Sequence, residues 1–372
     1  MVTLAVESAR RSTAAATRRA TRRPVTEVQP ETTDPSQKCS PRPPIRGTGD
    51  YSGVQGSSES PRVAHMATGT HDHDDDPRNA EILIWVNGEL LPRDRAVVSV
   101  FDSGFVLGDG VWEGLRVSAG HPAFLDQHLD RLEEGARAIM LDPGMSRDEI
   151  IDAIYATLRA NEMTDGVHVR LMVTRGVKST PYQDPRMTIG PATVVIIAEH
   201  KEPLPATVTE GITLFTTHVR RATPDTLDPK LNAHSKLNDI QACIQAYTAG
   251  ADEALMLDPH GFVATCNSTH FFIVTRAGEV WTSDGRFCLA GITRANVLEV
   301  CRAADIPTRE TTFSLTDVYN AAEAFVTGTF AGVVPVRTVD GRTIGTGKRG
   351  PVVQRLQELY QQHVAADVGA RG

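Results

Sequence analysis

Within the stretch from Leu227 to Val274 a helical period gives way to two β-periods around a single turn, and few arrangements accommodate that change. Leu237, Ile240, Ile244 and Tyr247 recur at steps of three, four and three, the stripe of an amphipathic helix. Gly250 closes the helix, because glycine accepts the left-handed conformation that ends helices. Glu253 to Leu257 then predicts a strand, Asp258-Pro259-His260-Gly261 a turn, and a second strand returns through Phe271 to Val274. Two lysines, Lys230 and Lys236, stand at the start of the helix.

The same patterning extends on both sides. From Glu81 onward, Ile82 to Val86 predicts a strand, Asn87-Gly88 a hairpin turn and Val111 to Val117 another strand. Leu125, Leu129, Leu132, Ala136 and Ile139 mark a helix, and Ser146 with Glu149 forms a capping box for the next. Strands at 168–174 and 193–198 complete a small α+β domain over 79–203. Two prolines in His200-Lys201-Glu202-Pro203-Leu204-Pro205 mark a linker. A larger α/β domain follows over 204–366, with a strand at 212–216, a helix at 294–303, a strand at 324–327, a last helix carrying Val353, Leu356, Tyr360 and Val364, and a tail at 367–372. Because large pockets favour domain interfaces, residues of both halves are expected to meet near the linker.

Residues 1–78 are poor in apolar side chains and are expected to be disordered, since they cannot offset chain entropy. The pairs Arg10-Arg11, Arg18-Arg19 and Arg22-Arg23 have the composition of an organellar transit peptide, whereas Met66 lies where an internal start would precede the first strand. The cluster from His71 to Asp76 reads as a solvated tail, because no scaffold orients it toward a metal, and no metal site is expected. A net charge of −8 argues against a broad nucleic-acid surface. No apolar run is long enough for a membrane span. Five scattered cysteines without CxxC spacing suit a reducing, cytoplasmic setting.

Several positions carry chemistry. In LAGITRANV, Gly291 permits close backbone approach, and Ile292 and Thr293 open a helix whose free N–H groups attract an anion. Gly328-Thr329 in FVTGTF offers a second contact. Arg116 carries a fork that can grip two phosphate oxygens, and His168 and Arg170 alternate on one strand and so share a face.

These segments, with VFDSGFVLGDGVWEGLRV, VHVRLMVTRG, GADEALMLD and FVTGTFAGVVPV in order between about Ile82 and Tyr360, resemble the fold-type IV pyridoxal-phosphate enzymes. That group includes branched-chain and D-amino acid aminotransferases, (R)-selective amine transaminases and aminodeoxychorismate lyase. The resemblance implies the two-domain D-amino acid aminotransferase-like fold, a homodimer, pyridoxal 5'-phosphate, and amino transfer between a branched-chain or similar amino acid and a 2-oxo acid. It implies Arg116, Gly291, Ile292, Thr293, Gly328 and Thr329 as phosphate contacts, and His168 and Arg170 as carboxylate contacts. The alternative within the group is a lyase of the aminodeoxychorismate type, which eliminates where a transaminase transfers.

Two positions depart from the family pattern. Thr265 stands where a carboxylate faces the pyridine nitrogen, so the ring would be a weaker electron sink unless Asp239 or His270 compensates. Asn232 stands where the cofactor-bearing lysine is expected, and Lys236 where a tyrosine faces the phenolic oxygen. Together they admit a non-catalytic, cofactor-binding relative as a rival. Residues four apart on a helical turn lie about 6 Å apart between Cβ atoms, a gap that a lysine stem can span. Lys236 is therefore the expected attachment point, with Lys230 as the alternative.

Overall fold

The computed structural model describes residues 69–371. The arginine pairs, Cys39, Met66 and most of the expected disordered extension lie outside that range.

The first half is a six-stranded sheet of β1 (Leu83–Val86), β2 (Glu89–Pro92), β3 (Gly110–Ser118), β4 (His121–Pro122), β5 (Val167–Thr174) and β6 (Thr193–His200). Its spatial order is β2-β1-β6-β5-β3-β4, with every pairing antiparallel. Asn87 and Gly88 take positive φ and close the β1–β2 hairpin. A short helix, α1 (Ser103–Leu107), precedes β3, while α2 (Leu125–Ala138) and α3 (Arg147–Ala160) cover one face. The Ser146–Glu149 capping box starts α3 as its sequence requires. Strand alternation divides β3 in two. Val111, Leu115 and Val117 join the core with Leu125, Leu129 and Leu132 of α2, while Trp112, Gly114 and Arg116 face the other way.

The second half is a nine-stranded sheet of β7 (Ile212–Thr216), β8 (Glu253–Leu257), β9 (Val263–Cys266), β10 (His270–Val274), β11 (Val280–Thr282), β12 (Thr308–Glu310), β13 (Glu323–Gly328), β14 (Gly332–Val339) and β15 (Arg342–Thr343). The order is β12-β11-β10-β13-β14-β7-β8-β9, and β15 pairs with β14. Around it lie α4 (Pro205–Glu210), α5 (Pro224–Leu227), α6 (Leu237–Thr248), α7 (Ile292–Ala303), α8 (Leu315–Tyr319) and α9 (Pro351–Gly369).

Four expectations are corrected. The return strand after the turn is two strands: Cys266 ends β9, Asn267 bonds back to Ala254 through both its amide (3.1 Å) and its Oδ1 (2.8 Å), and β10 then pairs with β11 and β13. That break is what turns Thr269 and His270 toward the space between the halves. The apolar stripe of α6 does not face the core: Leu237 is 67% exposed, Ile240 51%, Ile244 47% and Tyr247 50%. Ala242 and Ala246 are the buried residues, because small side chains let the helix lie close to β8. The segment ahead of β1 has defined structure from Gly69 onward, with Thr70 2% exposed and a 3-10 turn at Pro77–Ala80, although most of its other side chains are exposed. Finally, α9 continues to Gly369, into the expected tail, and Val368 packs against Phe124 and Ile292.

Candidate active site

A cavity of about 430 Å³ opens between the two sheets. From the first half, β3 brings Trp112 and Gly114, α2 brings Arg131, and β5 brings His168 and Arg170. From the second come Asn232, Lys236, Thr265, Gly291, Ile292, Thr293, Gly328 and Thr329. All but two of the residues proposed from sequence line this one space. Lys230 does not; it is exposed, and its backbone amide donates to Asp228 Oδ1 at 3.0 Å. Arg116 does not either. Its guanidinium is turned aside to the Lys201 carbonyl and to Glu202 at 3.4 Å, beside a neighbouring cavity of about 380 Å³.

A further arginine of the cavity lining, one that sequence reading missed, is Arg131. Glu113 sits among Val111 and Leu115 on the core face of β3, fully buried, and holds Arg131 through Nε at 2.8 Å and Nη2 at 2.6 Å. His128 donates from Nδ1 to the same carboxylate at 2.7 Å. Burial opposes charge on Glu113, yet the hydrogen bonds from Arg131 and His128 prevail and hold its pKa below the ordinary value. Arg131 also donates to the Ala290 carbonyl at 2.8 Å, next to the start of α7. A glutamate on an apolar strand face, opposite His128 and Arg131 one helical step apart, was the available signal.

Lys236 is the N-cap of α6, and its Nζ donates to Asn232 Oδ1 at 3.2 Å. Asn232 is itself fixed by Nδ2 donating to the Trp112 carbonyl at 2.6 Å. The ammonium lies 5.6 Å from the Trp112 ring centroid, and the Arg170 guanidinium lies 4.2 Å from it. Desolvation lowers the Lys236 pKa, opposed by Asp239 and reinforced by Arg221, which makes the amine easier to deprotonate than an exposed lysine. Arg221 and Asp239 form an ion pair beside it.

At the other end the helix α7 begins. Its first N–H groups have no intrahelical partner. Thr327 Oγ1, fully buried on the cavity wall, has no hydrogen-bond partner. Gly291 is required by contact and not by φ: a Cβ there would lie 2.3 Å from His270 Cε1. The imidazole cannot yield, because its Nε2 donates to the Leu289 carbonyl at 2.7 Å, and burial pushes its pKa down to about 3. Gly291→Ala is therefore expected to cost about 1–3 kcal/mol through overpacking, as read from denaturant unfolding. Thr265 donates its hydroxyl to the Thr269 carbonyl at 2.8 Å, which leaves its oxygen able only to accept toward the cavity.

No group of His, Cys, Asp and Glu among the described residues could hold a metal ion, and none of the helices there is long and apolar enough to cross a membrane.

A family model described as amino-transferase class IV matches residues 110–339. Over 286 residues the chain is 42% identical to branched-chain-amino-acid aminotransferase-like protein 2 of Arabidopsis thaliana, covering 77% of this chain and 51% of that one. The chain thus spans about half the length of that plant relative. It is 38% identical to a putative branched-chain-amino-acid aminotransferase of Methanocaldococcus jannaschii, covering 75% of this chain and 95% of the relative. Among solved structures, the branched-chain amino acid aminotransferase of Escherichia coli superposes with a TM-score of 0.71 at 27% identity, covering 77% and 96% of the two chains. That of Thermoproteus uzoniensis, solved with norvaline, superposes with a TM-score of 0.69 at 29% identity, again covering 77% and 96%.

Proposed function

The chain belongs to the amino-transferase class IV family, and on that premise we propose that it is a pyridoxal-phosphate-dependent aminotransferase acting between a branched-chain amino acid and a 2-oxo acid. The observation that carries this reading is one cavity with a desolvated lysine at one end and a helix N-terminus at the other.

The residues present fit the cofactor. Thr327 Oγ1 is an unpartnered polar atom on the wall, and Gly291, Ile292 and Thr293 at the start of α7 line the same cavity. Ile292, Thr293, Gly328 and Thr329 would hold the phosphate, with Arg131 replacing Arg116 as the nearby guanidinium. Thr265 would accept a hydrogen bond from the ring nitrogen. When bound, pyridoxal phosphate supplies an electrophilic carbonyl carbon and an electron-withdrawing ring.

This chain's own groups supply the rest. Lys236 would hold the cofactor through its Nζ, and the same amine would move the proton at the substrate α-carbon. Asn232 aims its Nζ, and Trp112 shields it from water on one side. His168 and Arg170 receive the substrate carboxylate, an assignment supported by their shared strand face, with Gly114 paired to Arg170 and the Trp112 ring beneath its guanidinium.

The homodimer belongs to the same reading. The exposed stripe of α6 adjoins the exposed Phe105 of α1, because Ser235, just ahead of α6, donates to the Gly108 carbonyl at 3.1 Å. An apolar surface of that kind fits a second copy of the chain. Sedimentation is expected to give twice the chain mass.

The test of function uses the full chain with added pyridoxal phosphate, L-leucine and 2-oxoglutarate. Formation of 4-methyl-2-oxovalerate is the expected result. Pyruvate formed from aminodeoxychorismate without an amino acceptor, and no transfer from leucine, would replace the transaminase reading with the lyase.

A further inference from the structure

Residues ahead of β1 reach the rim of the cavity. Gly69 to Asp72 forms a turn, with the Asp72 amide bonded to the Gly69 carbonyl at 3.1 Å and the Gly69 amide to Asp72 Oδ2 at 2.7 Å. Two ties hold it down. The Thr70 hydroxyl donates to the carboxyl of Glu253, and the Asp72 carbonyl accepts from the Leu204 amide at 3.4 Å. Glu253 is buried and also accepts from Thr269 at 2.6 Å and Ser268 at 3.1 Å, the two residues that lead into β10. One carboxyl therefore fastens the upstream turn to the cavity wall.

Between those ties, the His71 ring stacks on Phe330 with centroids 5.8 Å apart and planes 10° from parallel. His168 meets the same ring edge-on at 5.6 Å, and Lys201 Nζ lies 5.0 Å from its centroid. His71 is exposed at the cavity mouth, with Phe330 against one face of its ring. Desolvation, then Lys201, Arg170 and His73, pushes its pKa down to about 4, so at neutral pH the imidazole is uncharged and keeps one N–H donor. Among the described residues that line the cavity, the one acid is Asp239, already paired with Arg221. Glu199, the acid whose field reaches Arg170 and Lys201, is not part of the lining. The end of the cavity formed by His71, His168 and Arg170 thus presents donors and cations without an anion of its own.

We propose that His71, delivered by the segment ahead of the first strand, is a substrate-binding residue whose imidazole N–H donates to the carboxylate held by His168 and Arg170. The identity of that substrate rests on the aminotransferase reading. A solvated tail, the expectation from sequence for residues 71–76, becomes at His71 a part of the site, because Thr70 and Glu253 provide the scaffold that composition could not reveal.

The test compares His71→Ala and His71→Phe in the full-length chain loaded with pyridoxal phosphate. Phenylalanine keeps a ring on Phe330 but has no N–H. Both variants are expected to raise KM for L-leucine and for 4-methyl-2-oxovalerate about tenfold, the loss of one hydrogen bond to a charged group. The kcat should stay within about twofold, and cofactor affinity, read from visible absorbance on titration, should not change. A wild-type KM in His71→Phe would show that the ring only packs and would overturn the proposal, as would loss of the cofactor together with the raised KM. Should the wild type transfer no amino group, the aminotransferase reading fails separately. Calorimetry with 4-methylvalerate then decides for His71: about tenfold weaker binding to His71→Phe supports it, and equal affinity overturns it.

Discussion

Lys236→Ala is expected to abolish covalent retention of pyridoxal phosphate and to lower the transamination rate by at least about three orders of magnitude, since one group both forms the link and moves the proton. Borohydride reduction of the wild-type holoprotein followed by peptide mapping is the direct check. A pyridoxyl label on Lys236 is the expected outcome; a label on Lys230, or on neither lysine, would sink the assignment. Lys230→Ala serves as the control and should leave the rate unchanged, because that side chain is exposed and lies outside the cavity lining. The geometry behind the expectation is local. Asn232 is buried, tied to β3 through the Trp112 carbonyl, and accepts from Lys236 Nζ, so the lysine side chain is held inside the cavity lining.

The second large effect concerns stability. Glu113→Ala leaves Arg131, 9% exposed, and His128, 1% exposed, without the carboxylate that both address. Removing one partner of a buried ion pair costs about 3–5 kcal/mol, because the remaining charge stays desolvated. Urea unfolding of the variant should show that loss. Cofactor affinity should fall with it, since Arg131 also holds the Ala290 carbonyl at the approach to α7. A Glu113→Ala protein as stable as the wild type would mean that water reaches Arg131 and replaces the carboxylate.

The two halves were legible because their signals are local. Strand alternation in VHVRLMVT, the capping box at Ser146 and Glu149, the Asn87-Gly88 turn and the start of α7 at LAGITRANV each depend on residues a few positions apart. The same holds for His168 with Arg170 and for Gly291 with Ile292 and Thr293, whose spacing alone puts each group together on one strand or helix start.

What the sequence could not decide was which partner each side chain would find. Arg116 and Arg131 are both arginines near the same strand, and only the positions of Lys201, Glu202 and Glu113 determine which one stays in the cavity. The apolar stripe of α6 pointed to a buried face, but β8 approaches the alanine side instead, so helical periodicity identified the stripe without saying what would cover it. His71 joins the site through one bond between Thr70 and Glu253, residues far apart in the chain. Periodicity and spacing act through the backbone and are written in neighbouring residues. Hydrogen-bond partners, desolvation and the orientation of a helix face depend on groups that only the tertiary fold brings together, and those contacts put Arg131 in the cavity and His71 at its rim, two residues that looked ordinary in the chain.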